Sequence, residues 1–281
     1  MRPKYPENLA IIDRVRSDEE VESHNEAFPI MSISKTFCGV ISTLMAVSGK
    51  FGDEGVDTTL SEALLKAQEN YPERSDKISV YLRMLRNKGL SNVKISEILT
   101  HTSGIDDDRD TIFDAYKNET ALKFFEDKLS GVREDFLGKY HYSNDGYTLM
   151  EEIINLASDS GNYHQELQDK IFDKLDLRNT KPVIESPSAQ EKFGPTIFLP
   201  GHKIGSTTIE NHTIIRADKD HPLGQIPLAS AGLCSTINDL KKYSVELLKF
   251  IVGKENVFTD KPRSVINPNS LMTVIRNQSF I

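Results

Sequence analysis

The chain has 281 residues, 38% hydrophobic and 27% charged, with a formal net charge of -8. That balance supports a packed core and excludes wholesale disorder, while the acidic surplus excludes nucleic acid as a general partner, which needs a basic face. No run reaches the roughly 18 apolar residues of a membrane span, and residues 1–16 carry charges without an apolar signal-peptide stretch, so a cytoplasmic location is expected.

In chain order, residues 9–15 read as a short strand and 17–25 as a polar loop. A nearly all-apolar run (Ile33, Phe37, Cys38, Val40, Ile41, Leu44, Met45, Val47) predicts a buried helix ending near Gly49. Cys38 on that helix reads as a small apolar core residue, and two cysteines, Cys38 and Cys234, make no disulfide framework. Amphipathic spacing predicts helices over 60–69 and 78–86, a short helical segment over 95–99, and further helices over 120–129, 147–158, 163–175 and 237–251. The acidic stretch Asp106-Asp107-Asp108 reads as a solvated turn, because the spacing of a calcium loop is missing. Residues 179–200 read as a proline-punctuated connector and 207–215 as a strand. The Asn/Asp-rich start of the last helix suits an N-cap. This order fits a helical lobe, roughly 50–180, inserted into an α/β lobe built from the two ends, all within one domain, 1–281.

Two short motifs carry chemistry. Ser32 and Lys35 stand three residues apart where the buried helix begins, so they share a face. A serine hydroxyl needs a base within hydrogen-bond reach to act as a nucleophile, and a lysine whose pKa is lowered by burial can be that base. A helix N-terminus offers N–H groups and a positive dipole end to a developing oxyanion. The bland reading is a helix cap and a solvated lysine, but a lysine at the head of a buried helix needs a reason. The second motif, Tyr142-Ser143-Asn144, offers a phenol that can relay a proton and an amide that can hold Lys35 and a substrate carbonyl.

Five blocks occur in order: Phe28 to Phe37; Ile98-Leu99-Thr100-His101-Thr102-Ser103-Gly104-Ile105; Tyr142-Ser143-Asn144-Asp145-Gly146-Tyr147; Ile171 to Thr180; and Ala231 to Leu240. Together they resemble the class C β-lactamase and serine D,D-peptidase (penicillin-binding-protein-like) family, over nearly the whole chain. The resemblance implies an α/β (α+β) β-lactamase/transpeptidase-like fold with an antiparallel sheet, and acyl transfer through a covalent acyl-serine. It implies that Ser32 is the nucleophile, that Lys35 assists its deprotonation, that Tyr142 is the general base, and that Asn144 positions substrate. The Ser32 N–H and a strand N–H would form the oxyanion hole. No metal or organic cofactor is implied. His101 and Ser103 match a structural block and read as a loop brace.

The family's third motif, Lys-Thr-Gly or His-x-Gly, does not occur between Lys241 and Ile281. Lys203-Ile204-Gly205 has its shape but precedes the Ala231 block, in the wrong order. An incomplete sheet is therefore expected, and three accounts follow: a piece of a longer enzyme, a strand supplied by another chain, or a relative that binds without cleaving. The expected substrate is a small molecule or peptide bearing an ester, amide or β-lactam carbonyl. Esterase or peptidase activity is favoured over efficient β-lactam hydrolysis, which needs a well-placed water. The alternative is a catalytically inactive binding or scaffold protein.

Overall fold

A computed structural model describes residues 27–106, 121–185, 227–251 and 254–258, together with short strand segments between 196 and 215. The expected strand over 9–15, the loop over 17–25 and the rest of the acidic stretch beyond Asp106 lie outside the described residues.

Strand β1 (Phe28–Pro29) leads through a 3₁₀ turn (Met31–Ile33) into helix α1 (Ser34–Val47). Helices α2 (Leu60–Asn70), α3 (Ser75–Asn87), α4 (Ile95–Leu99), α5 (Ala121–Asp127) and α6 (Asn144–Ala157) follow. Helix α7 (Tyr163–Leu167) continues through a π-turn (Gln168–Phe172) into α8 (Asp173–Leu175). Strand β2 (Lys181–Pro182) comes next, then the backbone segments β3 (Thr196–Phe198), β4 (Lys203–Ile204), β5 (Thr207–Thr208) and β6 (Thr213–Ile215). Strand β7 (Leu233–Ser235) and helix α9 (Ile237–Ile251) close the described part.

The helices form where their sequences provide both an apolar face and an end signal. Thr59 caps α2 in a reciprocal capping box with Glu62. Ser143 caps α6, its hydroxyl accepting from the Gly146 N–H, so α6 begins three residues before the periodicity predicts. The cap of α9 is not the expected Asn/Asp pair but Thr236, whose Oγ1 accepts from the Asp239 N–H. Gly49, just past α1, takes a left-handed φ of 75°, the conformation glycine adopts at a helix C-terminus without steric cost.

The sheet beside α1 is antiparallel with order β1-β7-β2, pairing Phe28 with Ser235, Pro29 with Cys234 and Pro182 with Leu233. β7 is central and wholly buried. Both flanking strands carry a proline, which cannot donate to a ladder and belongs at an edge. Among the described residues this sheet has three strands, and the other segments pair separately, β3 with β6 and β4 with β5. Lys203-Ile204 thus sits in its own two-stranded ribbon rather than in the sheet beside Ser32. The 179–200 connector contains β2 and β3, each too short for an alternating pattern to reveal.

The core runs through the helical lobe. α6 packs against α1, α2, α4 and α7. Phe37 of α1 stacks on Tyr243 of α9 at 3.9 Å between ring centroids and meets Phe172 edge-on. Cys38 is fully buried, and burial pushes its thiol up to about 12, the behaviour of an inert core residue. No described helix is long and apolar enough to cross a membrane.

Candidate active site

Ser32 lies in the 3₁₀ turn, two residues before α1 proper, and Lys35 lies in the first turn of that helix. Met31, immediately before Ser32, has a φ of 46°. A left-handed non-glycine residue costs on the order of 1–3 kcal/mol and marks a place where the surroundings dictate the backbone. Here it turns the chain between β1 and α1 and leaves Ser32 at the bend.

Tyr142 and Asn144 arrive on the segment that starts α6. The four side chains meet. Ser32 Oγ and Tyr142 OH are 2.5 Å apart. Lys35 Nζ lies 3.4 Å from Ser32 Oγ and donates to Asn144 Oδ1 at 2.6 Å and to the Ser230 carbonyl at 2.6 Å. Tyr142 OH donates to Asn144 Oδ1 at 3.2 Å. Lys35 is 1% exposed, and its ammonium also lies over the rings of Tyr142 and Tyr147, at 4.8 and 5.4 Å from their centroids. An ammonium this deep is tolerable because oxygen acceptors and aromatic faces replace its water.

The site is tied to the sheet. The Leu233 N–H of β7 donates to Ser34 Oγ at 3.3 Å, and the Ile30 N–H donates to the Leu233 carbonyl. Ser34, between the two motif residues, therefore fixes the turn bearing Ser32 against β7. The Ser230 carbonyl, which sequence reading missed, is a backbone atom on the buried turn leading into β7. Side-chain motifs carry no signal for it.

His101 braces Tyr142 from behind. Its φ is 57°, its carbonyl accepts from the His141 N–H at 2.7 Å, and its Nδ1 accepts from the Ser143 N–H at 3.1 Å. The neutral tautomer that fits carries its proton on Nε2. The ring stacks on Tyr142 with centroids 4.6 Å apart. Burial first, then repulsion from Lys35 and His141, lowers the imidazole to about 3, so it is neutral at ordinary pH. Asp106, partly exposed, pairs with Arg133 at 2.8 Å and His141 at 2.9 Å. Among the described residues no group of three or more His, Cys, Asp or Glu side chains is arranged to hold a metal ion.

The Beta-lactamase family model matches residues 15–273. A curated β-lactamase from Providencia stuartii is 25% identical over 175 residues, 61% of this chain and 37% of that protein. D-amino acid amidase from Ochrobactrum anthropi SV3, solved with D-phenylalanine, superposes with a TM-score of 0.52 at 19% identity, covering 84% of this chain and 60% of its own. An octameric penicillin-binding protein homologue from Pyrococcus abyssi gives 0.53 at 18% identity, covering 90% and 50%. A class C β-lactamase mutant gives 0.52 at 17%, covering 90% and 56%. These structures share the β-lactamase/transpeptidase-like fold. The chain spans 37% of the curated relative and between 50% and 60% of these three structures. With the match running from residue 15 to residue 273, the chain belongs to the Beta-lactamase family, whose members are serine hydrolases.

Proposed function

We propose that this protein is a serine hydrolase that acts through an acyl-Ser32 intermediate on an ester or amide carbonyl. The observation that carries the reading is the 2.5 Å contact of Ser32 Oγ with Tyr142 OH, with Lys35 Nζ 3.4 Å from the same oxygen. Tyr142 OH donates to Asn144 Oδ1. That phenol first loses its proton to solvent; as a phenolate, 2.5 Å from Ser32 Oγ and with Lys35 Nζ 4.8 Å from its ring centroid, it takes the Ser32 proton. In the proposed sequence Ser32 Oγ bonds to the carbonyl carbon, whose π pair moves onto the carbonyl oxygen, as the serine proton passes to the Tyr142 phenolate, with Lys35 supplying positive charge beside Ser32 Oγ. The leaving group takes that proton, and water later releases the acyl group. The Ser32 N–H is the proposed oxyanion donor from this part of the chain. Asn144 positions Lys35 and, in the same proposal, the substrate.

The names of the structural neighbours, a D-amino acid amidase and a β-lactamase, guide the choice of substrates. The test is hydrolysis of p-nitrophenyl acetate, a D-amino acid amide and a penicillin by wild type and Ser32→Ala. Ester or amide turnover that disappears in Ser32→Ala supports the reading. Turnover unchanged by the substitution overturns it. A protein that binds these ligands without turnover or acylation is the binding relative instead. One domain over 1–281 is part of the same proposal.

A further inference from the structure

Glu151 stands seven residues after Asn144 on α6, two turns further along the same face. Asn144 Oδ1 accepts from Lys35 Nζ directly, at 2.6 Å. Glu151 Oε2 accepts from the Ala229 N–H at 2.8 Å, one residue before the Ser230 carbonyl that takes Lys35's other bond at 2.6 Å. Ala229 and Ser230 are fully buried. Their turn is wound on one atom, the Pro227 carbonyl oxygen, which accepts from the N–H groups of Ser230, Ala231 and Gly232. The Ala229 N–H is held from outside the turn, by α6. A buried N–H needs a partner. Here the partner comes from the helix that also carries Asn144, so one rigid element sets both acceptors of one ammonium.

We propose that Glu151 is a positioning residue for Lys35: by holding Ala229 it presents the Ser230 carbonyl to the ammonium. The proposal rests on the acyl-serine reading above. The titratable groups facing the carboxyl are Glu152 on its own helix, Cys38 on α1 and Tyr163 on α7. Burial, reinforced by Glu152, pushes the carboxyl up to about 8 against the bonds from Ala229 and Leu228. At pH 7 the acid is therefore mostly neutral and accepts through its carbonyl oxygen, as a glutamine amide would.

The test uses the full chain with Glu151→Gln, Glu151→Ala and Glu151→Met, the last filling the volume without an oxygen acceptor. Two readouts are taken: the fluorophosphonate labelling rate of Ser32, and the titration of the Lys35 side chain by NMR in a Ser32→Ala background. Glu151→Gln labels close to the wild-type rate below about pH 8. Glu151→Ala and Glu151→Met fall about ten- to a hundredfold, the cost of small misplacements at a reacting centre. In those two the Lys35 titration moves to lower pH, because an acceptor that favours the charged form is lost. Wild-type labelling and an unmoved Lys35 titration in Glu151→Met overturn the proposal, as does a Gln variant that falls as far as Met. If wild type is not labelled at all, the acyl-serine reading fails and the Lys35 titration alone decides the positioning role.

Discussion

Lys35 and Lys50 each stand beside a tyrosine phenol, in contrasting surroundings. Lys50 Nζ donates to Asp159 at 2.6 Å and to Tyr71 OH at 2.9 Å, and lies 5.5 Å from the Tyr71 ring centroid. Lys35 Nζ donates to an amide and a backbone carbonyl, lies over Tyr142, and has a serine hydroxyl within 3.4 Å. Asp159 keeps 68% of its side-chain surface exposed, so water shares the charge there. At Lys35 only protein does. Lys50 is held above its ordinary pKa, first by Asp159 and then by Tyr71. It pins the end of α1 to the loop after α6. The two sites differ in depth, in the acceptor (a carboxylate at Lys50, an amide and a backbone carbonyl at Lys35) and in the serine hydroxyl beside Lys35.

The largest effects should come from breaking the Lys35 site. Lys35→Met is expected to lower Ser32 labelling by about 10²–10⁴-fold, the usual worth of a positioned acid–base group. The same variant should change Tm little, because removal of a buried ammonium offsets the acceptors left unpaired at Asn144 and Ser230. A matched loss of labelling and of Tm would instead make Lys35 a structural residue. Tyr142→Phe keeps the ring that stacks on His101 and removes only the hydroxyl. It should lose labelling on the same scale with little change in Tm, and wild-type labelling would remove Tyr142 from the proton path.

Next is the brace behind Tyr142. His101 is neutral when folded, with its pKa lowered from 6.5 to about 3. Its contribution to stability is complete above pH 6.5. It is lost as pH falls toward 3, because the unfolded chain binds a proton that the folded chain refuses. His101→Gln should flatten that acid limb in chemical denaturation measured across the same range. An unchanged limb would place the acid sensitivity elsewhere.

The smallest effect is expected at the other lysine. Asp159→Asn should cost no more than about 1 kcal/mol, as exposed ion pairs do, and should leave Ser32 labelling unchanged. Lys50 holds the Asp159 carboxyl below its ordinary 3.8. That contribution is therefore present above pH 3.8 and lost only as pH falls below it. A labelling defect in Asp159→Asn would erase the contrast between the two lysines.

The helices were legible because each buries one periodic face, and α1 because it is apolar nearly all round. Residues 207–215, read as one strand, hold two short ones, β5 and β6, and the strands of the sheet beside α1 were not legible: β1, β2 and β7 are two or three residues long, too short for alternation to register, and their sheet exists only through tertiary pairing. Ser32, Lys35, Tyr142 and Asn144 could be picked out as side-chain motifs, and the structure brings them into one hydrogen-bonded group. The Ser230 carbonyl has no side-chain signature. Met31 and His101 take left-handed backbone without being glycine; histidine is only modestly favoured there and methionine is not, so the bends beside Ser32 and behind Tyr142 had little sequence signal. Glu151 lies within the predicted helix over 147–158, and its position there carries no sign of the Ala229 N–H it meets.

The central claim, an activated Ser32, is tested most directly by the intact mass of the folded protein after a fluorophosphonate, beside Ser32→Ala. The account predicts a single adduct in wild type that is absent from the variant. Folded wild-type protein without an adduct, or an adduct that persists in Ser32→Ala, would contradict it.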